Sequence, residues 1–117
     1  MSTRCNIIVK DEYESIIFYK HSDGYPEGTM PILERFLGYV KEGKLRDNAS
    51  QSSGWLIIIG AEEYGQSLRN LVLDKEPRWL GLEWKVGAIE PTTQIAGDAE
   101  YVYIVDLVKK EISVEEV

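Results

Sequence analysis

Four side chains that could perform chemistry lie close together in one loop. They are His21, Asp23, Tyr25 and Glu27. Imidazole titrates near neutral pH and an adjacent carboxylate can tune it, so general acid–base chemistry is one interpretation. One nitrogen and two oxygens can also hold a metal ion, although the remaining ligands would have to come from elsewhere in the chain. We therefore predict no catalytic centre, metal site or cofactor, and treat the loop as a candidate ligand-binding site.

The same loop also has a purely structural explanation. Asp23-Gly24 favours a turn, Pro26 stiffens the backbone, and Gly28 gives the chain the freedom to enter a helix. In that interpretation His21 hydrogen-bonds to a loop carbonyl rather than to a ligand. The residue types alone do not distinguish the two interpretations, so both stay open.

Arg4 extends the candidate set beyond the loop. A guanidinium can hold a phosphate or a carboxylate with two parallel hydrogen bonds, and pairing with Asp23 or Asp106 of the same chain is the alternative. Cys5 is the only cysteine, and we expect it to be a small core residue because no histidine adjoins it in the sequence. The candidate ligand-binding residues are Arg4, His21, Asp23, Tyr25 and Glu27.

The acidic composition argues against direct binding to nucleic acid. The chain has 117 residues and a formal net charge of −7, so the chain as a whole lacks the basic surface that neutralises phosphates. The negative charge either keeps a small protein in solution, or lets its surface imitate nucleic acid or dock on a basic partner. Charge alone does not separate these explanations.

Motifs of the common enzyme classes are missing from the sequence. It contains no glycine-rich phosphate loop, nucleophile elbow, zinc-ligand spacing or nucleotide fingerprint. The longest apolar run, residues 55–59, is much too short to cross a membrane. We find no secretion signal, and one cysteine cannot form an intramolecular disulfide. We expect a cytoplasmic protein without a membrane partner, and the balance favours a non-enzymatic role while leaving catalysis open.

Two β-rich runs predict an antiparallel hairpin near the N-terminus. Residues 5–10 and 15–21 are apolar and β-branched, with a polar break between them. In the second run, Phe18 lies on one face while Tyr19 and His21 lie on the other. The candidate histidine is therefore placed at the end of a strand.

The stretch after the loop predicts a helix. Thr29 suits the N-cap, and Pro31 suits the first turn, where its missing N–H is not needed. Apolar side chains recur at helical spacing from there through Leu33 and Leu37. Gly43 is the predicted end.

The middle of the chain is the most ambiguous part. Residues 49–64 favour a second helix, capped by Asp47 or Asn48, although the apolar block at 55–59 could equally be a buried strand. Residues 68–73 predict one further helical turn.

The last third returns to strands. Residues 84–89 predict a strand ending at Pro91, and residues 100–106 and 111–115 predict two more. We therefore predict a single α+β domain spanning residues 1–117. It would contain one antiparallel sheet, made of the N-terminal hairpin and the C-terminal strands, with about two helices packed on one face.

Three segments resemble small phage and prophage proteins of uncharacterised function. Such proteins open with Thr-Arg before an apolar strand, carry a His-x-Asp-Gly-Tyr-Pro loop, and end with a Tyr-x-Tyr-x-x-Asp strand. The matching residues here are Thr3-Arg4, His21-Ser22-Asp23-Gly24-Tyr25-Pro26 and Tyr101-Val102-Tyr103-Ile104-Val105-Asp106. The middle of the chain matches poorly. The resemblance implies an origin in a mobile element and supplies no catalytic roles.

Three functional hypotheses follow from these observations. The first is a non-enzymatic, phage- or prophage-type protein that binds a host protein or modulates host defence. The second is a small-ligand protein, with a nucleotide as one candidate ligand, or a small enzyme, built from Arg4 and the loop. It requires these side chains to converge in one pocket. The third is a homo-oligomer formed through an exposed strand at residues 111–115, unless the glutamates there prevent pairing.

Overall fold

The computed structural model describes residues 3–60, 62–63 and 89–117. Its strands are β1 (Cys5–Lys10), β2 (Ser15–Lys20), β3 (Ile89–Thr92), β4 (Tyr101–Asp106) and β5 (Glu111–Glu116). Its helices are α1 (Pro26–Lys41) and α2 (Ala49–Ser52), followed by helical residues at 54–60 and 62–63. The strands form one sheet in the order β3-β2-β1-β4-β5. The predicted α+β fold is confirmed.

The sheet is mixed rather than wholly antiparallel, which corrects the sequence prediction. β1 pairs antiparallel with β2, as the predicted hairpin requires, but it pairs parallel with β4. The reason is the connection between β3 and β4, which carries the chain from one edge of the sheet past β2 and β1. A crossover of this kind joins strands that run in the same direction. The β1–β2 and β4–β5 hairpins pair antiparallel, and so do β2 and β3, which lie far apart in the sequence.

The crossover is held to the middle of the sheet by Asn6. The side chain of this residue is fully buried, and its Oδ1 accepts a hydrogen bond from the Ala96 amide at 2.8 Å. Its Nδ2 donates to the Phe18 carbonyl at 2.9 Å. Because a buried amide is costly without partners, these bonds fix where the crossover lies on the sheet.

One apolar core lies between α1 and the sheet. Side chains alternate along each strand, so Cys5, Ile7 and Val9 of β1 lie on the helix side and are buried. Helical spacing brings Leu33 and Phe36 of α1 against them, both fully buried. Asn6 and Tyr19 belong to the opposite face. The sheet therefore has a helix-covered face, which carries the core, and a second face.

The first helix begins earlier than the sequence predicted. Pro26 occupies the first turn, where its missing N–H costs nothing, so Thr29 is an interior residue rather than the N-cap. Thr29 is fully buried, and Pro31 lies inside the helix. At the other end Gly43 has a φ of +78°, which is the left-handed position that ends helices. The predicted end is confirmed.

Helical structure in the middle segment is confirmed where it is described. Asn48 is the N-cap of α2, and its side chain accepts from the Gln51 amide. The helix is interrupted at Ser53 and resumes at residue 54. Within the second part Leu56 is buried, whereas Trp55 is about half exposed at 49%. The block at 55–59 is thus helical and not a strand.

Several predictions in this part of the chain concern residues beyond the described ones. They are the end of the second helix at Tyr64, the helical turn at 68–73 and the strand residues 84–88. The predicted strand overlaps β3 at Ile89, and β3 continues through Pro91 to Thr92. An edge strand tolerates a proline, because the missing N–H is on its unpaired side. Among the described residues, no helix is long and apolar enough to cross a membrane.

Arg35 joins α1 to the second helical segment. Its guanidinium donates to Glu62 at 2.5 Å and to Glu63 at 3.0 Å, and its Nε donates to the Tyr39 hydroxyl at 3.0 Å. The hydrogen bonds to Tyr39 and to the glutamates raise the pKa of Arg35 above its usual range. Since these groups are partly exposed, the contacts align the two helices more than they stabilise them.

Candidate functional site

A buried lysine holds one side of the candidate loop. Lys20 is only 4% exposed, and its Nζ donates to the carbonyls of Ser22 at 2.5 Å and Asp23 at 2.9 Å. Burial lowers the pKa of Lys20 because it strips hydration from the charged form. The sequence analysis missed this residue. Alternation along β2 could have identified it, because Ile16, Phe18 and Lys20 are two residues apart and therefore share the helix-covered face.

The rest of the loop is held by backbone contacts and two hydroxyls. The Gly24 amide donates to the Thr3 carbonyl at 2.8 Å, and the Gly24 carbonyl accepts from the Tyr103 hydroxyl at 2.6 Å. Thr29 Oγ1 donates to the Asp23 carbonyl at 2.8 Å. Asp23 itself has a φ of +56°, a conformation that aspartate tolerates better than most residues. The structural interpretation of the loop therefore accounts for its backbone.

Cys5 lies beside this network and is fully buried. Burial raises the pKa of its thiol to about 11, and the nearby Lys20 ammonium and a hydrogen bond with Thr29 offset part of that rise. A thiol that stays protonated is a poor nucleophile. Its predicted role as a core residue agrees with this environment.

The raised pKa of Cys5 predicts a specific loss of stability in alkali. Because the thiol ionises more readily in the unfolded chain than in the folded one, its contribution is present below about pH 9 and is lost as the pH rises towards 11. Lys20 and Tyr103 also titrate in alkali. We therefore expect urea unfolding of the wild type to lose more stability over this range than unfolding of Cys5→Ala. Parallel pH profiles for the two proteins would contradict the prediction.

A polar cluster forms on the second face of the sheet. The Tyr19 hydroxyl and His21 Nδ1 share a hydrogen bond at 3.0 Å, and Arg4 Nε pairs with Asp98 Oδ2 at 3.2 Å. Burial and the Asp98 carboxylate raise the pKa of Tyr19, while Arg4 acts in the opposite direction. Arg4 thus pairs with Asp98 and not with Asp23 or Asp106, because its position before β1 points it to the crossover. His21 bonds to Tyr19 rather than to a loop carbonyl.

The other three predicted residues lie apart from that cluster. The Tyr25 hydroxyl donates to Asp23 Oδ1 at 3.1 Å, and this bond raises the pKa of Tyr25. Both residues are exposed, as is Glu27 in the first turn of α1. The contacts therefore join Arg4 with His21 through Tyr19, and Asp23 with Tyr25 separately. Ligand binding by the five residues stays a prediction. In the described ranges, no group of three or more histidine, cysteine or acidic side chains could hold a metal ion.

An open groove of about 410 Å³ runs between α1 and β5. We call it the α1–β5 groove. Met30, Leu37 and Ile112 give it an apolar lining, and the exposed face of Gly38 leaves it wide because a glycine has no side chain. Its charged lining residues are Glu34, Lys41, Lys110 and Glu111. The sequence analysis did not identify this groove, although it did predict that the strand beside it would be exposed.

Comparison with protein families, with curated proteins and with solved structures found no match to this chain. What the protein does is therefore inferred from its own residues.

Proposed function

We propose that this chain is a non-enzymatic binding protein that engages another protein through the α1–β5 groove. The observation that carries the proposal is the groove itself, with an apolar lining, charged residues around it and a sheet-edge strand beside it. Apolar concavities with a polar rim are typical of recognition sites. The resemblance of the loop and of β4 to phage and prophage proteins favours a bacterial host protein as the partner.

The buried polar groups that hold the loop support a binding role over catalysis. Each of them donates a hydrogen bond to a backbone carbonyl inside the fold, from Lys20, Thr29 and Tyr103. A catalytic group must instead reach a substrate. None of these three residues lines the α1–β5 groove, whose lining combines Gly38 and three apolar side chains with four charged ones.

Filling the groove tests the proposal. A Cβ added at Gly38 meets no atom within 4 Å, so Gly38→Leu should fold without a steric clash at that atom. Because leucine favours helix more than glycine does, we expect the variant to be as stable as the wild type or more stable by up to about 1 kcal/mol. Its side chain would occupy the groove. Peptides selected on the wild type from a random displayed library should therefore bind Gly38→Leu at least about tenfold more weakly.

Gly54→Ala is the matched control. It makes the same kind of helix-stabilising change at a position that is also open within 4 Å but does not line the groove. Selected peptides should bind it as they bind the wild type. If Gly38→Leu binds them with unchanged affinity, the groove is not the binding site.

A further inference from the structure

β5 has one unpaired side in the described part of the chain. It is the last strand of the sheet, and its ladder is formed with β4 alone. The Val117 amide donates to the Glu100 carbonyl at 2.8 Å, which marks these two residues as a hydrogen-bonded pair. Since such pairs alternate in an antiparallel ladder, Ile112, Val114 and Glu116 direct their N–H and C=O groups away from β4.

The side chains of β5 divide between two faces of different chemistry. Ile112 and Val114 lie on the helix-covered side, opposite Val105 and Tyr103 of β4, and Val114 is 45% exposed. Glu111, Ser113 and Glu115 lie on the other side and are exposed. An added strand would meet Ile112 and Val114 on the groove side, with Glu116 at the end of that side, and the carboxylates of Glu111 and Glu115 on the outer side.

A second copy of this chain fits that edge poorly. Antiparallel self-pairing centred on Ser113 would place Glu111 of each copy opposite Glu115 of the other, and like charges in that position are destabilising. Centring the pairing on Val114 would place Ile112 opposite Glu116. Neither arrangement satisfies both faces of the strand.

We infer that β5 accepts an extended segment of a partner protein whose residues alternate between basic and apolar. This inference rests on the proposed binding function of the α1–β5 groove and adds the mode of binding and the chemistry of the partner. The segment would hydrogen-bond to Ile112, Val114 and Glu116 through its backbone. Its apolar side chains would enter the groove, and its lysines or arginines would lie opposite Glu111 and Glu115.

Charge complementarity is what selects this partner. The whole chain carries a net charge of −7, and the outer side of β5 adds two carboxylates in alternate positions. Lys110, which directly precedes this strand, is already engaged, since its Nζ lies 3.7 Å from Asp47 and bonds to the Leu107 carbonyl. Basic residues on the partner would therefore be attracted, and acidic ones repelled.

A synthetic peptide of the sequence Lys-Val-Lys-Val-Lys-Val-Lys, capped at both ends, tests the inference against a control of the same composition, Lys-Lys-Val-Val-Val-Lys-Lys. We expect the alternating peptide to shift the backbone amide NMR signals of β5 and of the groove side of α1. Because only alternation places lysines and valines on opposite faces of a strand, we expect the control to bind at least about tenfold more weakly.

Two test substitutions, each with a control, locate the contacts. Glu115→Lys should weaken binding by about fivefold or more, whereas Glu90→Lys, which makes the same charge change at the opposite edge of the sheet, should have less than about a twofold effect. Val114→Pro should abolish binding, because it removes an outward N–H without removing a bond to β4. Val114→Ala separates this effect from the loss of the side chain.

Equal binding of the two peptides, or equal effects of Glu115→Lys and Glu90→Lys, would overturn the inference. A dimer in analytical ultracentrifugation that Val114→Pro dissociates would overturn it in favour of a second copy. If library peptides depend on Gly38 but do not alternate basic and apolar residues, the inference fails while the proposed function stands. If neither the library peptides nor the alternating peptide depends on the groove, both fail.

Discussion

Replacing Gly24 with alanine is expected to destabilise the protein by about 3 kcal/mol, a large fraction of the stability of a small domain. A Cβ at this position would lie 2.9 Å from the Arg4 carbonyl carbon and 2.9 Å from both the amide nitrogen and the Cβ of Cys5. The obstruction is backbone, which cannot turn aside as a side chain does. The Gly24 amide is also bonded to Thr3, so the loop cannot move away without losing that bond.

Chemical denaturation compares Gly24→Ala with a control at Gly54. Gly54→Ala adds the same methyl group where nothing lies within 4 Å, in a helical segment, and should stabilise the protein by about 0.5–1 kcal/mol. The two substitutions should therefore move the urea midpoint in opposite directions. A Gly24→Ala midpoint at or above that of the wild type would show that the approach of the loop to β1 is not as tight as described.

Replacing Tyr103 with leucine is expected to cost about 3 kcal/mol. This tyrosine is fully buried in the middle of β4, and its hydroxyl donates to the Gly24 carbonyl at 2.6 Å. Leucine loses ring contacts in the core and leaves that carbonyl without its donor. Burial also raises the pKa of Tyr103, which agrees with a hydroxyl that is held away from water.

Tyr103→Phe separates the two contributions. It keeps the ring and removes only the hydroxyl, so we expect a loss of about 1–2 kcal/mol. Tyr101→Phe is the matched control in the same strand, at a position that is only partly buried, and should cost less than about 0.5 kcal/mol. Equal losses for the two phenylalanine variants would argue against a special role for the Tyr103–Gly24 bond.

Local pattern was enough to predict the elements that depend on near neighbours. The hairpin of β1 and β2 follows from two β-branched runs around a polar break, and the alternation along β2 correctly separates Phe18 from Tyr19. The end of α1 follows from Gly43, because few other residues adopt its backbone conformation. Each of these features is decided within a few residues of the chain.

The features that pattern did not predict depend on distant parts of the chain. The parallel pairing of β1 with β4 depends on the path of the crossover, which no periodicity records. The start of α1 was misplaced because Pro26 and Pro31 both suit a first turn, and burial of Thr29 under the loop decides between them. Lys20 is the exception, because the carbonyls it bonds to, those of Ser22 and Asp23, are only two and three residues away.

The candidate site shows the same division. The sequence identified Arg4 and His21 as candidates, and the fold brings both to Tyr19. The sequence could not show that Arg4 would form an ion pair with Asp98, since that contact depends on where the crossover lies. The groove was invisible for a related reason, because a concavity between a helix and a strand is a property of their separation and not of either element alone.

The central position of β1 also constrains when the protein can fold during synthesis. Ile7 pairs with Tyr103, which is separated from it in the sequence by almost the full described length of the chain. The Asn6 side chain likewise has no donor for its Oδ1 until the Ala96 amide has been synthesised. A nascent chain that has passed α1 can close its hairpin but must leave one side of β1 and its buried amide group open until the last strands leave the ribosome. Chains with such long-range pairing fold slowly and expose unpaired strands in the interval. Translation pauses between the codons of α1 and those of β4 would therefore prolong the interval in which this protein is vulnerable to aggregation and to proteases.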